Sequence, residues 1–325
     1  MKFVYNNFEK ELELPAFFVG NGINMCGETK LEWKKLLSLL FPEDKKDIVE
    51  EDLESLTYPE IASLANVYRK KQNKKMDLLH KTVCEEINKF EENFLKEKDS
   101  LKNHKTVMEF AKKYNFPVLT TNYDHLLLKA INYQTKSKSK NESIEIPYWL
   151  VEEGSKKSLH YWTPLNAYFT DGKSFEYNKT DLKKKFALWF VHGMKRYQRS
   201  ICIDDNDYIR NITAIKKYLD EDYYEDYKNW LGRNTWLDIF LNNDLIILGF
   251  GFSFYELDLR WLLFKRYSYQ LYLVNSGKIK EQRKIIYIKR KNDELKNGDD
   301  KLFNVLGIDV VEMTDAEIYK LGYLK

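Results

Sequence analysis

An α/β fold, with a parallel sheet carrying helices on both faces, is the class this sequence predicts, and three observations carry it. Six short apolar runs have strand length: "AFFVG" (16–20), "PVLTT" (117–121), "LWFVHG" (188–193), "DLIILGFG" (244–251), "KIIYIKR" (284–290) and "IDVVEM" (308–313). Most are continuous rather than alternating, as strands buried on both faces are. Segments with helical spacing lie between them, so strand and helix alternate in the doubly wound manner. Finally, 325 residues with 43% hydrophobic content can bury a substantial core, and a single domain over 1–325 is expected.

Taken in order, the first strand runs into "GNGIN" and a polar loop, and "EWKKLLSLLF" then opens a helix. Residues 31 to about 115 hold four helix-like segments and no strand, which reads as a helical module inserted after the first strand. The second strand passes into "DHLLLKAI", a helix that Asp124 is placed to cap. Residues 135–185, rich in Tyr, Trp and Lys with Pro147, Pro164 and Gly172, read as a long covering loop. After the third strand comes an aromatic helical segment from Asn206 to Asn243, and after the fourth the helix "ELDLRWLLFKRY". No internal repeat is visible.

Composition excludes several classes. Lys+Arg 53 against Asp+Glu 50 leaves +3, mixed along the chain, so no electrostatic footprint for direct nucleic-acid binding stands out. Cys26, Cys84 and Cys202 are far apart and lack histidines at ligand spacing, which writes neither a disulfide framework nor a metal site. The first residues carry acids where a signal peptide needs an apolar core, and no run approaches the ~18 apolar residues of a membrane span. The expectation is a cytoplasmic protein with no membrane contact.

Four motifs fall at strand ends. Gly20 and Gly22 in "GNGIN" could let backbone approach a phosphate or ribose, or could form a tight strand-to-loop turn. In "TTNYD", Thr120, Thr121, Asn122 and Asp124 lie where open α/β sheets hold ligands, and capping accounts for Asp124 alone. His192 ends an apolar strand before a glycine, a setting for a general base near neutral pH, although a lone strand-end histidine is more often a hydrogen-bonded core residue. His80, His104, His125 and His160 have no such setting. In "LGFGFS", Gly249 and Gly251 bracket Phe250 ahead of Phe252 and Ser253, which also fits a glycine-relieved corner.

In this order the four motifs resemble the sirtuin superfamily, and specifically its bacterial sirtuin-like branch of NAD-consuming defence proteins, over most of the chain. "GNGIN" stands where the family has Gly-Ala-Gly-Ile-Ser, "TTNYD" where classical sirtuins have Thr-Gln-Asn-Ile-Asp, "VHG" where they have the catalytic His-Gly, and "GFS" with "DLRWLL" where the branch has Gly-Tyr-Ser and a Leu-Arg helix. The resemblance implies a Rossmann-like sheet with no zinc ribbon, the helical module standing in its place, and NAD+ as substrate with no metal. It implies that Gly20, Asn21, Gly22, Ile23 and Asn24 line the pyrophosphate and ribose. Thr121 and Asp124 would lie at the nicotinamide side, and Gly251, Phe252 and Ser253 at the adenosine side. Asn122 and His192 would be catalytic. Without the zinc-ribbon cleft, water is the acceptor, so the implied activity is an NAD+ hydrolase releasing nicotinamide and ADP-ribose. In that branch it would deplete cellular NAD in anti-phage abortive infection, as a homo-oligomer gated by assembly, a ligand or a second defence protein (an ATPase or a nucleotide or phage sensor). An NAD- or ADP-ribose-binding regulatory module without turnover and an NAD-dependent protein deacylase stand as alternatives.

Overall fold

The structure is a computed structural model that describes residues 2–5, 8–45, 56–71, 78–131, 168–169, 182–184, 186–196, 198–219, 227–228, 230, 232–233, 235–250, 257–291, 299–321 and 323–324. Gly251, Phe252 and Ser253 lie outside the described residues, as does nearly all of the 135–185 covering loop.

A small antiparallel sheet pairs Lys2–Tyr5 (β1) with Phe8–Glu11 (β2) and Tyr323–Leu324 (β10). The main sheet has seven strands, and all six apolar runs supply one each: Pro15–Val19 (β3), Val118–Thr120 (β4), Leu188–Phe190 (β6), Asp244–Leu248 (β7), Ile285–Arg290 (β8) and Ile308–Met313 (β9). These six are parallel, and Tyr168–Phe169 (β5) adds an antiparallel edge beside β6. Several strands stop short of the apolar run that marks them. Thus β7 ends at Leu248 because Gly249, at φ +62, turns the chain out of the extended region.

Alternation along β3 divides the core. Phe18 faces one layer with Trp236 and Phe240 of Trp236–Asn242, Leu262 of Leu257–Asn275 and Ile215 of Asp205–Tyr218. Phe17 faces the other with Val107, Met108 and Ala111 of Lys102–Tyr114 and Leu127 of Leu126–Ala130. Each fully buried phenylalanine contributes about 1.5–3 kcal/mol of transfer free energy, and the two together fix which face each helix covers. The fold is therefore α/β and Rossmann-like, with helices on both faces of a parallel sheet.

Trp33–Leu40 (α1), Tyr58–Lys71 (α2), Leu78–Phe94 (α3) and Lys102–Tyr114 (α4) form the inserted helical module. Three of them build their own core, with Leu36, Leu37, Ile61, Ala65, Val83 and Ile87 packed together. By contrast α4 turns its apolar stripe to the sheet and serves as the crossover helix into β4. The remaining α-helices among the described residues are Leu126–Ala130 (α5), Asp205–Tyr218 (α6), Trp236–Asn242 (α7), Leu257–Asn275 (α8), Asp299–Val305 (α9) and Asp315–Ile318 (α10).

Strand order β5-β6-β4-β3-β7-β8-β9 means that the chain winds from β3 outward through β4 to β6, then returns to build β7, β8 and β9 on the other side. Register places Val19 opposite Thr120 and Leu248, and Thr120 opposite Phe190. The loops after β3, β4, β6 and β7 therefore share one carboxyl edge, flanking the point where the winding reverses. Open α/β sheets bind ligands there.

Candidate functional site

Three polar side chains from two adjacent strand ends meet in one cleft, with about 310 Å³ of space counting open solvent and a cavity of about 20 Å³ within it. Asn21 comes from the 3-10 turn Asn21–Met25 that follows β3, and Asn122 and Asp124 come from the loop after β4. The module supplies the apolar wall: Trp33 and Leu36 of α1, Leu31 just before it, and Ile87 of α3, with Tyr123 between the two sides. Trp33 is held in place by stacking on Tyr58 at 6.1 Å and by the edge of Tyr123 at 5.6 Å.

Thr120 explains how Asn122 is presented. Its Oγ1 donates to the Val19 carbonyl at 2.8 Å, across to β3, and accepts the Asn122 N–H at 3.1 Å. The asparagine backbone is thus fastened to the sheet, and its Nδ2 donates to the Gly20 carbonyl at 3.4 Å. Asn122 is 5% exposed, and its Oδ1 has no hydrogen-bond partner among the described residues. A buried carbonyl oxygen left unsatisfied costs about 1–3 kcal/mol. Asn122 is also one of the residues that line the pocket.

Behind the pocket runs a buried relay. His104 of α4 donates Nε2–H to Asn24 Oδ1 at 2.8 Å, and Asn24 Nδ2 donates to Asp124 Oδ2 at 2.7 Å and to Asn21 Oδ1 at 3.0 Å. Asn21 in turn donates to the Leu31 carbonyl at 2.9 Å. Burial holds His104 neutral by pushing its imidazole down to about 3. Asp124 Oδ1 accepts the Leu126 N–H at 2.9 Å, so it caps α5 from one position before the cap residue His125. Burial, and after it the charge of Glu91, pushes the Asp124 carboxyl up to about 6.

Glu91 of α3 ties the module to both loops. It is 1% exposed, its Oε1 takes Lys195 Nζ at 2.7 Å and its Oε2 takes Lys129 Nζ at 2.6 Å, while the His125 N–H also donates to it. Burial pushes its carboxyl up, but the Lys195 charge and the hydrogen bonds from both lysines outweigh this and hold it below its ordinary value.

Of the two readings of the glycine pair, the contacts fit the tight strand-to-loop turn. A Cβ on Gly20 would lie 2.6 Å from the Gly249 oxygen, and one on Gly22 would lie 2.6 Å from the Gly249 Cα. Gly20 and Gly22 also spend their N–H groups on the carbonyls of Leu248 and Gly249, at 2.9 and 2.6 Å. The space that the glycines leave is thus taken by the chain's own β7 exit. Ile23 is core, packed with Val19 and Leu248. Thr121 is buried at the β4 exit.

His192 sits after β6, one strand beyond Asn122, and is not among the residues lining the pocket. It is 2% exposed, with Nε2 at 3.0 Å from Asp258 Oδ2 at the start of α8 and the ring edge-to-face with Tyr208 at 5.5 Å. Gly193 follows at φ +87, where a Cβ would lie 2.0 Å from the Ser200 oxygen, so only glycine turns the chain here. Three participants escaped the sequence reading. Asp258 looks like any acid at a helix start, Glu91 is one of several acids on a surface-like helix, and His104 lies 80 residues from Asn24.

Among the described residues, no group of three or more His, Cys, Asp or Glu side chains could hold a metal ion, and no helix is long and apolar enough to cross a membrane. No protein-family model matches the chain, and no curated protein matches its sequence.

Proposed function

We propose that the chain is an NAD+ hydrolase, splitting the nicotinamide–ribose bond with water as acceptor. The observation that carries this reading is the unsatisfied, buried Oδ1 of Asn122 in a pocket at the sheet's winding reversal, beside Asn21 and Asp124. The enclosed part of the cleft, about 20 Å³, has room for a water, and the nicotinamide-ribose half of the dinucleotide would sit in its open part. Asn122 Oδ1 would accept from a ribose hydroxyl, Asp124 would take the carboxamide N–H, and the Trp33 wall would exclude bulk water from the leaving ring. The motif order that resembles sirtuin-like proteins supports the same assignment.

In the reaction the glycosidic electron pair leaves with neutral nicotinamide, positive charge develops on the ribose, and water adds at the anomeric carbon with loss of one proton. NAD+ and water thus become nicotinamide, ADP-ribose and a proton. Fixed dipoles beside the developing cation lower the barrier, and holding water and ribose in register supplies the rest. His192 would accept a hydroxyl or water proton, a step worth ~10²- to 10⁴-fold. His192 is not among the residues lining the pocket, so this step would need the β6 turn brought to the ribose, with its Asp258 contact kept, when assembly, a ligand or a partner protein switches the enzyme on. An enzyme that drains NAD must rest in this way, and abortive anti-phage defence in the cytoplasm, by a homo-oligomer with an activating partner, is the setting we propose.

Chromatography of NAD+ incubated with the wild type, Asn122→Ala and His192→Ala, each alone and with the products of neighbouring genes, tests the reading. Nicotinamide should appear with the wild type and be lost in both variants while the fold is kept. Full release by both variants would remove the assignment. Tight NAD+ binding with no release under any condition would instead favour a sensing module, and release that needs an acetylated peptide would favour a deacylase.

A further inference from the structure

Asp258 is a buried carboxylate with both oxygens engaged by donors. Its Oδ1 accepts the Leu259 N–H at 2.9 Å, and its Oδ2 accepts Asn211 Nδ2–H at 2.7 Å and faces His192 Nε2 at 3.0 Å. Asp258 and Asn211 are fully buried. A backbone N–H and a carboxamide NH2 can only donate, and imidazole is a stronger base than carboxylate, so the hydrogen shared between Asp258 and His192 belongs to the imidazole. Asn211 and Tyr208 stand three residues apart on α6, on one face of that helix, so a single helix supplies both the second donor to the carboxylate and the wall against the ring. The His192 carbonyl accepts the Cys202 N–H at 2.9 Å, which anchors the backbone from the other side.

We propose that Asp258 is the positioning residue of His192: it accepts the Nε2–H and fixes the ring plane at the end of β6, which leaves Nδ1 on the opposite side of the ring. The placement of this proton follows from the donor–acceptor geometry alone; its catalytic meaning rests on the NAD-cleavage reading above. In that reading Nδ1 is the proton acceptor, and a carboxylate behind the opposite nitrogen keeps the base in one tautomer.

The test is the tautomer itself. The chain has five histidines, so long-range proton–nitrogen correlation on protein labelled with 15N-histidine gives a small pattern, and His192 is assigned by its loss in His192→Gln. The wild type should show His192 with hydrogen on Nε2. Asp258→Leu should lose that preference, with the other four histidine patterns unchanged as the check on folding. A wild type with hydrogen on Nδ1, or a His192 pattern unmoved by Asp258→Leu, would overturn the inference. If Asp258→Leu folds poorly, Asp258→Ala takes its place, since the dependence on the carboxylate is what the inference asserts. Nicotinamide release, read on the same samples alone and with the products of neighbouring genes, separates the two claims. Nε2–H without any turnover keeps Asp258's role and removes NAD cleavage, whereas turnover with Nδ1–H does the reverse. With both in place, Asp258→Asn should lower kcat by ~10²- to 10⁴-fold at unchanged KM.

Discussion

Two neighbouring stretches of the same sheet edge treat their polar side chains in opposite ways. After β3 and β4, Asn21, Asn122 and Asp124 border a cavity, and Asn122 keeps an acceptor unspent. After β6, His192 is closed on Asp258 and walled by Tyr208. Strand-end position alone therefore does not make a site; what separates the two is the neighbour. The module leaves a gap over the β3 and β4 loops, lined by Trp33 and Leu36, while α6 and α8 pack directly over β6. One region borders open space, and the other is packed closed.

Glu91 links the two regions, so removing it should have the largest effect. Glu91→Ala strands Lys195 beside the His192 turn and Lys129 beside the Asp124 loop, and the loss should be about 3 kcal/mol, most of it from the better-buried Lys195. Denaturant unfolding measures it, and a loss under ~1 kcal/mol would mean that the module does not brace the edge.

Acid titration of Asp124 comes next. Its carboxyl lies near 6 in the fold against an ordinary value of 3.8, so the fold prefers it protonated. Stability from this group is full below about pH 4 and is lost as pH rises through 6, up to roughly 3 kcal/mol. Asp124→Asn should remove that slope, gaining stability relative to the wild type between pH 4 and 7 in paired melts. A constant difference would contradict the burial of this carboxyl. Glu91, held below its ordinary value, contributes in the opposite sense and is left unchanged in both proteins.

Asn122→Ala sharpens the comparison on the open side. It should cut nicotinamide release by ~10²-fold, about 2.7 kcal/mol of barrier, while shifting stability by less than about 1 kcal/mol, since its Oδ1 has no partner to lose and its Nδ2 contact is long. Gly22→Ala should act in the reverse proportion. The added methyl meets Gly249 backbone, which costs roughly 1–3 kcal/mol of stability, and any loss of turnover follows from that.

The sheet was legible because continuous apolar runs such as "DLIIL", short, rich in β-branched residues and followed by glycine, fit strands buried on both faces, and the shared edge followed from their parallel order. β1 and β2 were not, because four-residue strands with alternating charge, as in "FEKE", carry no periodic signal above a loop. Within the site, Asn122 and Asp124 stood out because capping could not explain a polar run at a strand end. The meaning of Gly20 and Gly22 was hidden: whether a glycine clears space for a ligand or for Gly249 depends on a contact more than 220 residues away in sequence. The same holds for His104 and Asn24, which nothing local connects.

A crystal structure with ADP-ribose or a non-cleavable NAD+ analogue bound tests the central claim most directly. The account predicts a ribose hydroxyl within about 3 Å of Asn122 Oδ1, with the ring side of the ligand against Trp33. A ligand seated elsewhere, with that oxygen facing only solvent or protein, would contradict it.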